Sequence, residues 1–279
     1  MSLSRMRRRQ KRRSNVGKTS SACRLGSVVD LHSHILPGID DGARSLEESV
    51  EIAIAAARDG TTVMAATPHV RDDYPTAAQR MERLVLELDW ILRKRGIGLH
   101  LLGGAEIAIP RLQTLSDEEL HQFALAGNPH YLLVEFPYLG WPLSLESEIW
   151  DLRQRGITPV LAHPERNPEV QEAPARIAPL VAAGALVQLT AASVDGRLGH
   201  RNRRTAHRLI AAGHAHLIAS DAHWPGLRRA GTSTAAAALR DSKLARWLTH
   251  DVPAAIVQDL PIPARPRTTK RTPRRLFRF

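Results

Sequence analysis

The chain has 279 residues and a mass of 30.8 kDa, with 43% hydrophobic and 24% charged residues, a globular composition sufficient for one or two domains. No apolar run approaches the ~18 residues that span a bilayer. The single cysteine, Cys23, excludes a disulfide framework and, with Val29 rather than an arginine six positions on, excludes thiolate phosphatase chemistry. The net charge of +11 belongs to the two ends. Residues 1–25 carry nine Lys/Arg and no acid, and residues 264–279 carry seven and no acid, which leaves 23 bases against 28 acids between them. We read 1–25 and 264–279 as disordered basic extensions flanking one domain over 26–263. Their charge would draw them weakly to an anionic membrane or a nucleic acid. The N-terminal run has no apolar stretch behind it and so is not a secretory signal.

In chain order, apolar and β-branched runs predict strands at 28–32, 62–67, 99–103, 131–136, 158–163, 185–190 and 216–220. Helices are expected between them. Ser45-Leu46-Glu47-Glu48 has the form of a capping box, with Gly60 closing the helix it opens. Thr76 with Gln79 opens a second helix running to Arg95 before Gly96. Three more, at 145–155, 175–183 and 203–212, stop at Gly156, Gly184 and Gly213. Strand and helix alternate seven times, which predicts an α/β fold with parallel strands, a seven-stranded (β/α) barrel. An open doubly wound sheet is the alternative, and the absence of a Gly-rich phosphate loop after the first strand disfavours it.

A barrel places catalytic groups at the C-terminal ends of its strands. The first strand runs out through His32-Ser33-His34 to Asp40-Asp41-Gly42, and the second ends at Thr67-Pro68-His69. The third ends at Glu106, the fourth at Glu135, the fifth at His163-Pro164-Glu165-Arg166 and the seventh at Asp221-Ala222-His223. Only the sixth, ending Gln188-Leu189-Thr190, lacks such a residue. His32 and His34, two apart, point to one face of an extended chain. Glu106 and Glu135 follow apolar strands, where a carboxylate without a counter-charge is penalised. His32, His34, Asp41, His69, Glu106, Glu135, His163, Asp221 and His223 are therefore candidate metal ligands. Nine are too many for one ion, so two or three ions sharing a carboxylate are expected. Imidazole with carboxylate and no thiolate suits Mn²⁺, Fe²⁺ or Zn²⁺. Such a cluster generates hydroxide from bridging water near neutral pH and neutralises phosphate oxygens. Arg166, beside His163, is placed to hold a phosphate bidentately, and Glu165 reads as its salt-bridge partner or a supporting group. His100, His121, His130, His200, His207, His214, His216 and His250 fall elsewhere on strands, helices or loops and read as structural.

These motifs, above all Asp30-Leu31-His32-Ser33-His34 with Leu36-Pro37-Gly38-Ile39-Asp40-Asp41-Gly42 and His163-Pro164-Glu165-Arg166, resemble the polymerase and histidinol phosphatase (PHP) superfamily. Within it the chain is most similar to the manganese-dependent bacterial tyrosine-protein phosphatases of capsule and exopolysaccharide loci, over residues 28–260. The resemblance implies a distorted seven-stranded barrel and a three-metal site. His32, His34, Glu106 and Asp221 would bind one ion, Glu106, His69 and His163 a second, and Asp41, Glu135 and His223 a third. Arg166 and, as a second candidate, Arg71 would bind substrate phosphate, with Arg166, His223 and Asp41 as the catalytic residues. The implied substrate is a tyrosine-phosphorylated protein, a membrane kinase or co-polymerase of polysaccharide export. The implied location is cytoplasmic and peripheral at the inner membrane. A phosphatase of small molecules such as histidinol phosphate, or a phosphodiesterase, would use the same metals. A nucleic-acid-binding module working through the basic ends is the non-enzymatic alternative. Both Arg-rich ends depart from the family pattern.

Overall fold

The computed structural model describes residues 28–224 and 228–267. Cys23 and most of the two basic ends lie outside the described residues. The strands, in order, are β1 (Val28–Asp30), β2 (Thr61–Ala66), β3 (His69–Arg71), β4 (Tyr74–Pro75), β5 (His100–Gly103), β6 (Glu106–Ala108), β7 (Tyr131–Glu135), β8 (Thr158–Ala162), β9 (Leu186–Thr190) and β10 (Leu217–Ala219). They form a three-stranded sheet, β1-β2-β5, and a seven-stranded sheet, β10-β9-β8-β7-β6-β3-β4. Every pairing is parallel except the β3–β4 hairpin.

All seven expected strands form, but they do not close into one seven-stranded ring. The chain breaks after β2 at Thr67-Pro68 and after β5 at Gly104-Ala105, then resumes as β3 and β6 in the other sheet. Pro68 has no N–H to continue a ladder. Gly104 sits at a close approach, where a Cβ would lie 3.3 Å from Leu125 Cα. The two sheets are joined instead at their C-terminal ends by single hydrogen bonds. His34 N donates to Ala222 O (2.8 Å) and Asp221 N to His32 O (2.9 Å), while bonds from Thr67 N to Ser33 O (2.8 Å) and from Glu106 N to Pro68 O (3.1 Å) extend the pairing within each sheet. The segment after β1 thus bridges one edge of each sheet. Every residue of β7 is buried, as are Val160, Leu161 and Ala162 of β8, the continuous apolar burial of strands covered on both faces.

The helices show where sequence signals compete. In α1 (Leu46–Arg58) Ser45 Oγ accepts from Glu48 N (3.3 Å), but the Glu48 carboxylate turns to Arg44, so the box is half formed. α2 (Ala78–Lys94) starts without the expected Thr76 cap; Thr76 Oγ1 has no partner. After α3 (Ile109–Leu112), a full capping box between Ser116 and Glu119, unassigned from sequence, opens α4 (Asp117–Gln122). α5 (Leu145–Gln154) and α6 (Pro168–Glu172) follow, and the helix expected at 175–183 is split into a 3₁₀ turn, Pro174–Arg176, and α7 (Ile177–Ala182). α8 (Ala191–Asp195) precedes α9 (His200–Ala212), which Gly213 closes at φ +83°. After β10 come α10 (Ser233–Ala238), α11 (Ser242–Arg246), a π-helical turn Trp247–Asp251 and α12 (Val252–Val257). These last elements cover the N-terminal ends of the strands: Asn128 Nδ2 donates to Ile256 O (2.7 Å), and Trp247 Nε1 to Pro263 O (2.9 Å). Arg265, counted with the C-terminal extension on composition, donates to Ala215 O (3.3 Å) and lies over Trp247.

Candidate metal centre

The centre is assembled where the two sheets meet. His32 and His34 leave β1 on extended backbone. The loop that follows returns against them, Ala43 N donating to His34 O at 3.0 Å. Only glycine fits at 42, because a Cβ there would lie 2.1 Å from His34 O. That return brings Asp40 and Asp41 over the histidines. The strand breaks described above deliver His69 and Glu106 in register, as partners of the β3–β6 ladder. Glu135 ends β7, and His163 follows β8. His163 (φ +39°) and Asp221 (φ +54°) occupy left-handed backbone, which costs a non-glycine residue about 1–3 kcal/mol and clusters at functional sites.

Glu106 sits at the middle, fully buried. Its Oε1 lies 2.8 Å from His163 Nε2; its Oε2 lies 3.1 Å from His69 Nδ1 and 3.3 Å from both His32 Nε2 and His34 Nε2. Asp221 Oδ1 is 3.5 Å from the same two nitrogens. His32 Nδ1 faces Gln188 Oε1 (2.9 Å) and His34 Nδ1 faces Asp40 Oδ2 (2.7 Å). Each Nδ1 is therefore assigned the proton, and the two bare Nε2 atoms are left 3.1 Å apart. Two lone pairs facing each other among carboxylates require a positive charge. The separations of 3.1–3.5 Å match the ~3.4 Å edge of a tetrahedron with ~2.1 Å bonds to an ion. Buried His69 Nδ1, His223 Nε2 and Glu106 Oε2 have no hydrogen-bond partner among the described residues. A divalent cation fits this donor set.

The electrostatics show a site that draws positive charge. Burial opposes charge on His32 and His34, yet Glu106 and Asp221 beside the first and Asp40 beside the second outweigh it and raise both pKa values. Burial opposes ionisation of Glu106 and Asp221 as well, and the surrounding histidines hold both well below the carboxylate range. His163 and His223 are pushed down to about 4 by burial, with Arg166 and His34 respectively adding repulsion, so both are neutral and able to coordinate. Burial and the neighbouring Glu106 charge raise Glu135.

Among the described residues, three groups have donor atoms mutually within 4.8 Å: His32, His34 and Glu106; His69, Glu106 and Glu135; and His34, Asp41, His69 and His223. The expected residues are thus brought together, but the partition differs. Glu135 Oε2 lies 3.7 Å from His69 Nδ1 in the group around Glu106, whereas Asp41 Oδ1 meets His69 and His223 Nε2, each at 3.4 Å. Arg71 Nη1 donates to Glu135 Oε1 at 3.0 Å. Arg71 is also paired with Asp73, so it is already engaged where a phosphate-binding role was expected.

Arg166 Nη1 donates to Asp221 Oδ2 (2.7 Å), and its guanidinium lies 4.8 Å from the Tyr138 ring centre. Glu165 is not its salt-bridge partner; buried, it accepts from Thr190 N (2.9 Å). Sequence reasoning missed four residues. Arg228 Nη1 reaches the same Asp221 oxygen at 3.5 Å, and Tyr138 stacks on His163 at 5.6 Å. Asp40 and Gln188 orient the two leading histidines. Gln188 lies in β9, the one strand whose end lacked a His, Asp or Glu, and a histidine needing a second partner was the available signal.

A family model described as "Capsular polysaccharide synthesis, CpsB/CapC" matches residues 28–256. The chain is 35% identical over 256 residues to the tyrosine-protein phosphatase YwqE of Bacillus subtilis, covering 90% of this chain and all of that one. It is 26% identical to the tyrosine-protein phosphatase CpsB of Streptococcus pneumoniae, over 70% of this chain and 83% of the relative. Among solved structures it superposes with TM-score 0.77 and 32% identity, over 86% of this chain and all of the other, on a structure described with YwqE and CpsB as "unique metal-dependent tyrosine phosphatases". The resemblance read from the motifs and the match over nearly the whole folded body agree: the chain belongs to the CpsB/CapC family of capsular polysaccharide synthesis proteins.

Proposed function

We propose that this protein is a metal-dependent protein-tyrosine phosphatase acting in capsule or exopolysaccharide synthesis, with Mn²⁺ as its metal. The observation that carries the reading is the buried Glu106 carboxylate ringed by His32, His34, His69 and His163. The named activity of the relatives supplies the substrate class. The nine residues His32, His34, Asp41, His69, Glu106, Glu135, His163, Asp221 and His223 would hold two or three ions, with Glu106 shared. Bound ions would activate a water as nucleophile and neutralise phosphate oxygens.

The chain's own residues do the rest. Asp221 ties down one Nη of Arg166, leaving its other donors to take a phosphate, and Arg228 approaches the same oxygen from a second direction. Tyr138 packs Arg166 against His163 and, held up at about 12 mainly by burial, stays neutral. Asp41, 37% exposed beside buried neighbours, marks the side open to solvent, and with His223 lines the approach. We read the two sheets as one distorted PHP-type (β/α)₇ barrel whose wall is interrupted at Thr67-Pro68 and Gly104-Ala105. No helix among the described residues is long and apolar enough to cross a membrane. We place the enzyme in the cytoplasm, peripheral at the inner membrane, with a tyrosine-phosphorylated kinase or co-polymerase of polysaccharide export as substrate.

The test compares a phosphotyrosine peptide with histidinol phosphate, each with Mn²⁺. Preferential turnover of the peptide is expected. Preference for histidinol phosphate, or turnover indifferent to EDTA, would overturn the proposal.

A further inference from the structure

The molecule has a further cleft that the phosphatase reading does not use. It lies between α9 and the α10–α11 corner, has a volume of about 760 Å³, and contains none of the nine candidate ligands. Its walls carry His200, Arg203, Arg204, His207 and Arg240. Its floor is apolar: Leu239 and Leu244 are buried there beside Ala238.

This charge has no internal explanation. Some arginines on other helices pair with an acid one turn away, as in Arg83–Glu87 and Arg93–Asp89. In α9, Arg201, Arg203, Arg204 and Arg208 are exposed, the helix contains no acid, and none of the four forms an ion pair among the described residues. Arg204 and Arg208 stand four apart, a spacing at which like charges destabilise a helix. The one acid in the cleft, Asp241, is engaged: its Oδ1 accepts from Lys243 N (3.0 Å) and Leu244 N (3.1 Å) to cap α11.

We propose that this cleft binds a small organic polyphosphate, of the nucleoside di- or triphosphate class. The volume lies within the range of small-ligand pockets. Unpaired guanidinium groups from two elements, α9 and the α10–α11 corner, suit bidentate contacts to adjacent phosphates. The apolar floor suits the uncharged remainder of such a ligand. The like-charge repulsion within α9 is then relieved on binding.

The test titrates ATP and ADP into the full-length, metal-loaded protein by calorimetry, with Arg203→Ala/Arg204→Ala and Arg240→Ala beside the wild type. These side chains are exposed, so the variants fold. The expected result is saturable wild-type binding that the double variant weakens about tenfold or more. Turnover of p-nitrophenyl phosphate stays unchanged, and ATP loses its effect on the Tm of the double variant. Equal affinity in the wild type and double variant, or loss of binding in Arg166→Ala instead, would place the nucleotide at the metal centre and overturn the proposal. A duplex oligonucleotide or acidic peptide that displaces ATP and binds more tightly through the same arginines would overturn it too, by making the cleft a surface for macromolecules.

Discussion

The two ends of the parallel strands both carry histidines, and they treat them oppositely. At the N-terminal ends each ring has an ordinary partner: His100 Nδ1 meets Asp89 (3.0 Å), His130 Nδ1 meets Asp259 (2.9 Å), and His216 Nδ1 accepts from Val187 N (3.1 Å). At the C-terminal ends His32 and His34 direct bare nitrogens at each other, and His69 and His223 keep a buried nitrogen without a hydrogen-bond partner among the described residues. The same side chain is structural where its hydrogen bonds close locally and belongs to the proposed metal site where they are left open. An unsatisfied buried polar atom is expensive, so a cluster of them persists only when something outside the chain completes it.

The comparison can be broken most severely at Glu106. Glu106→Ala removes the carboxylate shared by four histidines, and metal content and phosphatase activity are both expected to fall to background. Elemental analysis and p-nitrophenyl phosphate turnover read this directly; retained stoichiometry and rate would refute the cluster. EDTA is expected to reproduce the loss in the wild type, whereas iodoacetamide is not.

Arg166→Ala tests whether this end binds phosphate as well as metal. Loss of one charge-assisted contact is expected to cost about 1.5–3 kcal/mol in kcat/KM, with metal content unchanged. A kcat/KM within twofold of wild type would assign the phosphate elsewhere.

A subtler test removes only the orienting partners. Asp40→Ala and Gln188→Ala free the Nδ1 atoms of His34 and His32, and metal affinity is expected to drop about 10- to 100-fold while the fold is kept. Unchanged affinity in a competition titration with a chelator would mean that the rings are held by packing alone.

The smallest effects belong to the opposite end. The His130–Asp259 pair is more than half exposed on both sides, so His130→Ala should cost under about 1 kcal/mol and leave turnover unchanged. His216 is pushed down to about 4, first by burial and then by Arg265. The unfolded chain then binds a proton that the native one resists, so stability should fall as pH drops from about 6.5 towards 4. His216→Gln should flatten that window in thermal melts; an unchanged pH profile would show that other groups govern it.

Much of this was legible in the sequence, because it rests on local order. Seven apolar runs between capped helices define the parallel strands, and the spacing of His32, His34, Glu106, His163 and Asp221 after those runs marks one end as chemical. The periodic pattern specifies which residues are buried, and the residue after a parallel strand must leave at its C-terminal edge. The tertiary structure decided what depends on distance between segments far apart in sequence. Pro68 and Gly104 divide the strands between two sheets, and that division sets His69 beside Glu106. Arg71 pairs with Glu135, 64 residues further along the chain. Gln188, 156 residues from His32, completes its imidazole. Hydrogen-bond partners and ion pairs at such separations leave no periodic trace along the chain, and only the packing of the sheets brings them within 3 Å.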